Sequence, residues 1–391
     1  MMKRLRFSII WFVFMSMLLP PMLNAGNNIK VSLVTIYPGS EIYELYGHSE
    51  LRVTDGVTDI YYNYGLFDFN APGFASRFAM GETDYLCGAI PAFMALAGYG
   101  ERKVVEQELN LSPSQALRLR DMLAENALPQ NAYYRYKFLS DNCATRPRDM
   151  IEKVIGVSFN LPQTRDEGHI SYRDVLSQYT AHYAWQEFGI DLALGSGLDK
   201  TITPREHMFI PMVLMRAAAH TTVAGKPLVR ATRVVNAGSD EGAIKPATPW
   251  WCSPVAVSCL LLMLVAISSW REMRSGRLCR WLDTLLYVTY ALAGCVLFFL
   301  TFVSTHEATS PNFNVLWLHP FYVLPAVMVW AKRWHQSLLY YHYANLAEML
   351  IFALVAPFLP QCFNVAFYVL MLVPMLRSIN YIKTHRSISA S

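Results

Sequence analysis

The chain lacks the patterns that identify several large functional classes. Residues 26–250 have no internal repeat, no low-complexity tract, no glycine-rich phosphate-binding loop and no regular spacing of metal-ligating residues. His169, His182 and His207 follow no ligand spacing, so we predict no metal and no cofactor. These absences argue against a nucleotide-hydrolysing or metal-dependent enzyme.

The first 25 residues are typical of a targeting segment. Residues 1–25 have a basic start with Lys3, Arg4 and Arg6, then the apolar run FSIIWFVFMSMLL, and a small residue, Ala25, at the cleavage position. This is the pattern of a bacterial secretory signal peptide, and an uncleaved anchor helix is the alternative. In both cases we expect the following domain to be exported.

Composition divides the rest of the chain in two. Residues 26–250 mix charges, turns and amphipathic stretches, as a soluble domain does. Residues 251–391 are dominated by apolar runs close to the roughly 20 residues that a spanning helix needs. We predict five spans, at residues 253–270, 281–303, 317–331, 344–359 and 363–380.

Charge fixes the orientation of these spans. The loop at 271–280 carries four arginines, and Lys332 with Arg333 follows the third span, whereas STHEATSPNFN and PQCFN carry no Lys or Arg. Because cytoplasmic loops collect basic residues, we predict a multi-pass protein of the bacterial inner membrane with a periplasmic domain and an inner C-terminus. The net charge of +4 reflects this bias, so we predict no nucleic-acid binding.

A β-hairpin is predicted around the Asp-Gly pair at 55–56. Alternation on both sides of such a pair favours two strands joined by a two-residue turn. This register places Arg52 opposite Asp59 and His48 opposite Asn63. His48 then lies on the polar face of the hairpin, beside an amide that orients its ring.

A single cysteine lies at the start of a predicted helix in SDNCATRPRDMI, residues 140–151. The positive end of a helix dipole lowers the pKa of a thiol there. Pro147 favours a helix that begins nearer Thr145, with Cys143 just outside it. Cys143 is therefore a candidate nucleophile, with a disulfide to Cys87 and a buried inert thiol as open alternatives.

Several segments resemble a known family. The order of His48 before Cys143, reversed from papain, resembles the circularly permuted papain-like fold of NlpC-type peptidases and lecithin:retinol acyltransferase. The chain more closely resembles the bacterial Lnb family of lipoprotein N-acyltransferases, in the segments EIYELYGHSELRV, YYNYGLFDF, SDNCATRPRDMI, GIDLALGSGLDK, REHMFIPMVL and STHEATSPNFNVLWLHP. The resemblance implies an α+β permuted papain-like periplasmic domain followed by an all-α transmembrane bundle of about five helices.

The same resemblance implies an activity and two site residues. Cys143 would be the nucleophile and His48 its base, while Asn63 follows from the hairpin register. The expected reaction moves an acyl chain from a phospholipid, through a thioester on Cys143, to the α-amino group of a diacylglyceryl-cysteine lipoprotein. The expected partners are therefore the phospholipid donor, the diacylated lipoprotein acceptor and the membrane.

Polar residues near the outer membrane face are candidate substrate contacts. His306, Asn312, Asn314 and His319 lie in or beside one outer loop, and polar groups at membrane depth are costly and often functional. Solvated connectors at the headgroup level are the alternative. Arg146 is a candidate contact for phospholipid phosphate, with a water-facing arginine as its alternative.

Two other functions fit parts of the sequence. An NlpC-type cysteine peptidase or amidase acting on cell-wall peptides would use the same Cys143 and His48, but it needs no polytopic membrane domain. A non-enzymatic binding module tethered by membrane helices would leave the histidine, asparagine and cysteine without a chemical role.

Overall fold

A computed structural model of the protein describes residues 29–68, 71–162, 169–238 and 247–389. The predicted signal peptide lies outside the described residues. Within them, an α+β domain is followed by a helical domain with long apolar helices. The predicted order of an α+β domain before a helical bundle is therefore confirmed.

One antiparallel sheet of seven strands organises the first domain, in the order β6-β4-β3-β2-β1-β5-β9. The two remaining strands, β7 and β8, form a small hairpin of their own. The strands are β1 (Lys30–Ile36), β2 (His48–Thr54), β3 (Asp59–Leu66), β4 (Asp84–Pro91), β5 (Val104–Leu109), β6 (Tyr133–Arg135), β7 (Thr222–Val223), β8 (Lys226–Pro227) and β9 (Val229–Asn236).

Helices cover both faces of this sheet. The helices of the first domain are α1 (Phe74–Met80), α2 (Ala92–Gly98), α3 (Pro113–Asn126), α4 (Thr145–Ile155), α5 (Tyr172–Thr180), α6 (Ala184–Ala193), α7 (Pro204–His207) and α8 (Pro211–His220). The larger core joins Leu51 and Val53 of β2 to residues of α3, α4 and α8. A smaller core on the opposite face contains Tyr61, Ala95 of α2 and Tyr99.

The second domain contains α9 (Pro254–Ser275), α10 (Arg280–Phe302), α11 (Val323–Met328), α12 (His335–Val355) and α13 (Val365–Ser389). Among the described residues, four helices are long and apolar enough to cross a membrane. The prediction of a fourth span beginning at residue 344 was wrong in its start, because α12 begins at His335.

The predicted third span is not one continuous helix. It contains a 3-10 turn at Pro320–Tyr322 and the six-residue α11, and a further 3-10 turn at Phe313–Leu316 precedes it. Pro320 and Pro325 explain the break, because a proline has no N–H for the helical ladder. The broken segment still follows α10: a side chain at Gly294 would collide with the backbone of His319, and Trp330 Nε1 donates to Thr284 Oγ1 at 2.8 Å.

The two domains are joined through the loop that follows α10, which we call the outer loop (residues 303–312). The N–H of Thr305 donates to the carbonyl of Met80, at the end of α1, at 2.8 Å, and the N–H of Gly195 donates to Ala308 at 2.7 Å. The loop is thus held between two parts of the α+β domain. This contact supports the predicted orientation, in which the outer loop and the soluble domain share one side of the membrane.

Candidate functional site

Cys143 lies at the end of a short turn ahead of α4. Lys137 and Asp141 pair through two backbone hydrogen bonds, of 3.0 and 2.9 Å. Asn142 Oδ1 then accepts the N–H groups of Ala144 and Thr145 at 2.8 and 2.9 Å, which caps the helix. We call residues 137–143 the Cys143 turn, and it fixes the cysteine just before the first helical residue, as Pro147 predicted.

The Cys143 sulfur lies against the β2 strand. It accepts hydrogen bonds from its own backbone N–H and from the N–H of Ser49, the residue after His48. The register between β2 and β3 runs from Glu50–Asn63 to Thr54–Asp59, so His48 and Ser49 extend beyond it. The sulfur therefore lies beside the peptide bond that joins His48 to Ser49.

The environment of Cys143 raises its pKa instead of lowering it. Only 7% of the residue is exposed, and burial raises the thiol pKa to about 11 despite the two N–H contacts. The prediction of a thiol acidified by the helix dipole was therefore wrong. Desolvation outweighs the two N–H contacts, and the resting residue is a thiol.

His48 is oriented by Asn63. The distance from His48 Nε2 to Asn63 Oδ1 is 3.0 Å, and the N–H of Gly65 donates to the same Oδ1 at 2.7 Å. Because a backbone N–H is always a donor, it fixes this atom as the amide oxygen, so His48 Nε2 carries the proton. His48 Nδ1 is then the basic nitrogen. Burial lowers the pKa of His48 to about 4, so the ring is neutral near pH 7.

The predicted hairpin register was wrong by two residues. Asn63 pairs with Glu50 and Asp59 pairs with Thr54. The turn is longer than predicted because Asp55 Oδ1 accepts the N–H groups of Val57 and Thr58, at 2.9 and 2.7 Å. A shift of two residues preserves the faces of both strands, so His48 still reaches Asn63 diagonally.

Glu50 is a site residue that sequence reasoning missed. Its Oε1 accepts from Asn63 Nδ2 at 2.6 Å, and its Oε2 accepts from the hydroxyl of Tyr99. Glu50 is only 1% exposed, and burial raises its pKa to about 7. The only sequence signal was its position two residues after His48, on the polar face of the predicted hairpin.

The disulfide alternative is not the arrangement in this structure. Cys87 and Cys143 are both free and both buried. Cys87 lies in the larger core, near Tyr64, and burial raises its pKa to about 11. Of the two thiols, that of Cys143 accepts the Ser49 N–H next to His48.

Arg146 lies one turn after Cys143 and contacts the protein itself. Its Nε and Nη2 donate to the two carboxylate oxygens of Asp141 at 2.6 and 2.7 Å. The guanidinium carbon lies 3.5 Å from the centre of the Tyr134 ring. These contacts stabilise the Cys143 turn, and phosphate binding by Arg146 stays a prediction.

The two predicted asparagines of the outer region join the domains. Asn312 Nδ2 donates to the carbonyl of Leu192 at 2.8 Å, and Asn314 Nδ2 donates to that of Asp191 at 3.1 Å. Asn314 Oδ1 accepts from Trp317 Nε1 at 2.9 Å. Both asparagines are buried and bonded within the protein, and substrate contact by either of them stays a prediction.

The two predicted histidines occupy different places. His306 Nε2 donates to the carbonyl of Phe78 in α1 at 2.5 Å, at the surface of the outer loop. His319 Nε2 donates to Glu348 Oε2 at 3.1 Å, and its ring stacks on Tyr322 inside the helical domain. His306 therefore lies where the two domains meet, whereas His319 lies within the helices.

Glu307 is a second residue that sequence reasoning missed. From the outer loop, its Oε2 accepts the N–H of Leu139 at 3.1 Å, and its Oε1 accepts the hydroxyl of Ser140. The helical domain thus contacts the Cys143 turn directly. The only sequence signal for Glu307 was an acidic side chain in a loop without Lys or Arg.

Comparison with known proteins covers both domains. Residues 23–178 match the family model of the Lnb N-terminal periplasmic domain, and residues 246–387 match that of the Lnb transmembrane domain. Together they cover about three quarters of the chain. No curated protein and no solved structure matches it. With its periplasmic domain and its membrane helices, the chain belongs to the Lnb family.

Proposed function

We propose that the protein is a lipoprotein N-acyltransferase of the bacterial inner membrane, working through a thioester on Cys143. One observation carries the proposal: the Cys143 sulfur lies against the His48–Ser49 peptide, in a domain fastened to the outer loop of a membrane bundle. Membership of the Lnb family supports the same activity. The strand that carries His48 precedes the helix that follows Cys143, and this order fits a permuted papain-like fold.

The first half-reaction loads the acyl chain. The resting pair is neutral, with the His48 pKa near 4 and the Cys143 pKa near 11. The thiol proton therefore moves to His48 Nδ1 as the sulfur attacks the ester carbonyl of a phospholipid. The backbone N–H groups of Ser49 and Cys143 adjoin the sulfur and stabilise the oxyanion. The lysophospholipid oxygen leaves with the proton from His48, and the thioester remains.

The second half-reaction transfers the chain. The free α-amino group of a diacylglyceryl-cysteine lipoprotein attacks the thioester carbonyl and forms an amide bond. His48 accepts a proton from the amine and returns it to the departing Cys143 sulfur. The hydrogen bond from Nε2 to Asn63 holds the ring in the required orientation during both half-reactions.

The position of the site favours lipid substrates over cell-wall peptides. Glu307 of the outer loop contacts Ser140, three residues before Cys143. Both the phospholipid and the lipid-anchored acceptor reside in the membrane that these helices cross. A soluble peptidase would need no such contact between the Cys143 turn and a membrane domain.

The proposal is tested by product analysis with both substrates. Purified full-length protein is mixed with phospholipid vesicles and a diacylglyceryl-cysteine peptide whose amino group is free. Mass spectrometry should find one additional acyl chain on the peptide nitrogen. Cleavage of a cell-wall peptide in place of this product would favour the peptidase, and no reaction of either kind would favour a tether.

A further inference from the structure

A row of aromatic side chains begins beside Cys143 and ends at the outer loop. Along this aromatic row, successive ring centroids lie 4.1, 4.8, 6.0, 5.9 and 5.5 Å apart. Such spacings are those of aromatic rings in contact. The members, in order, are Tyr136, Tyr85, Phe67, Phe74, Phe78 and His306.

The inner end of the aromatic row is close to the reactive sulfur. Tyr136 directly precedes Lys137, which pairs through two backbone hydrogen bonds with Asp141, two residues before Cys143. Their stacked rings lie on the same face of the sheet as the larger core. A chain attached to the sulfur thus meets these two rings first.

The outer end of the aromatic row lies at the membrane domain. Phe78 is 50% exposed, and α1 has no fully buried residue. A side chain at Gly81, directly after α1, would collide with the backbone of Thr305 and His306, so helix and loop are in close contact. The outer loop follows Phe302, which is 62% exposed on the membrane helix α10. The outer end of the row, His306, therefore lies four residues after a helix that is long and apolar enough to cross a membrane.

We propose that the aromatic row binds the fatty-acyl chain carried on Cys143, and that α1 is where this chain enters from the membrane. The inference rests on the proposed function, since it assigns the acyl subsite of the same reaction. An acyl chain is a long apolar ligand, and burial of its methylene groups against aromatic rings is favourable. The thioester bond places one end of the chain at the start of the row.

Another exposed apolar surface provides a matched control. Phe93 of α2 is 75% exposed, but α2 follows the end of β4 that is opposite to α1. β4 has eight residues, so about 26 Å of strand separates the two helices. An acyl chain on the aromatic row should not touch Phe93.

The test compares acyl donors of different length. Phe74→Ala with Phe78→Ala should lower Cys143 thioester formation from vesicles of long-chain phosphatidylethanolamine about tenfold, because ring contacts with the chain are lost. Loading from p-nitrophenyl acetate, which is too short to reach α1, should be unchanged. Phe93→Ala should leave both rates at the wild-type level.

Two results would overturn the assignment. One is a double variant that loads both donors at wild-type rates, and the other is an equal loss with both donors. A wild-type protein that forms no thioester with either donor would instead overturn the proposed function.

As a second measurement, a phospholipid with a photoreactive group near the end of its acyl chain should crosslink to α1 (Phe74–Met80). Crosslinks confined to α2 would contradict the aromatic row.

Discussion

The amide of Asn63 donates from Nδ2 to Oε1 of Glu50 across 2.6 Å. Its oxygen is turned toward Nε2 of His48 at 3.0 Å. A buried carboxylate thus holds the amide that orients the histidine. The three side chains form one connected chain of hydrogen bonds inside the sheet. His48, at one end of this chain, directly precedes Ser49, whose N–H contacts the Cys143 sulfur.

Removal of the Asn63 amide should slow chemistry more than binding. In Asn63→Ala, the His48 ring loses its hydrogen-bond partner, and a small misplacement of a catalytic group costs about 100-fold in rate. We expect kcat for thioester formation to fall by about this factor with little change in KM. Asn110→Ala, which removes an exposed amide, is the control. A wild-type rate in Asn63→Ala would remove Asn63 from the account.

Glu50→Gln should stabilise the protein at alkaline pH. Burial raises the pKa of Glu50 from 4.5 to about 7 in the folded state. The stability that Glu50 contributes is thus fully present below about pH 4.5 and is lost as the pH rises through about 7. The neutral glutamine avoids this loss, which is on the order of 3 kcal/mol at 1.36 kcal/mol per pKa unit.

Thermal denaturation at pH 5 and pH 8 measures this effect. The unfolding midpoint of Glu50→Gln should exceed that of the wild type at pH 8, and the difference should shrink at pH 5. A variant that is less stable than the wild type at pH 8 would mean that the ionised carboxylate stabilises the fold.

Arg377 should be essential to the helical domain. It is 1% exposed, and it donates to Asp283 at 2.6 Å and to Glu272 at 2.9 Å, joining α13 to α10 and α9. Arg377→Ala leaves two buried carboxylates without their cation, which costs about 3–5 kcal/mol. The unfolding midpoint in detergent should fall accordingly, whereas Arg271→Ala, an exposed change, should have no effect.

Neutralising all three groups separates charge from packing. Arg377→Met combined with Glu272→Gln and Asp283→Asn should recover most of the lost stability, because no unpaired charge stays buried. A triple variant as unstable as Arg377→Ala would show that shape, and not charge pairing, is what this cluster contributes.

The broken third segment should cross the membrane. Contacts at Gly294 and Thr284 place it along α10 over much of that helix's length. Alkaline phosphatase fused after Pro311 should be active, because this position is outside, whereas fusions after Lys332 and after Ser391 should be inactive. Activity of the Lys332 fusion would mean that the segment returns to the outer face.

Local patterns predicted much of the site. Strand alternation correctly placed His48 and Asn63 on one face, together with Arg52 and Asp59. These features depend on neighbours within a few residues. The position of Cys143 before a helix that begins at Thr145 was predictable for the same reason.

Long-range contacts decided the rest. Glu50 is buried because Tyr99, which is 49 residues later in the chain, packs against it. No local sequence pattern predicts this long-range contact. The hairpin register depended on side-chain hydrogen bonds of Asp55, which Asp-Gly pairs do not specify. The pKa of Cys143 depends on burial by the assembled domain, so helix position alone gave the wrong sign.

The most direct test of the account is the mass of the Cys143 peptide after incubation with phospholipid and no acceptor. Because the donor ester and the acceptor amine belong to different lipids, the acyl group must be held on the enzyme as a covalent intermediate between the two steps. We expect the Cys143 peptide to gain the mass of one fatty-acyl chain. Neutral hydroxylamine should remove this adduct, and a diacylglyceryl peptide should discharge it. Cys252→Ala should form the adduct as the wild type does. Cys143→Ala, checked for folding by thermal denaturation, should form no adduct and no N-acylated product. Normal N-acylation by Cys143→Ala would contradict the account.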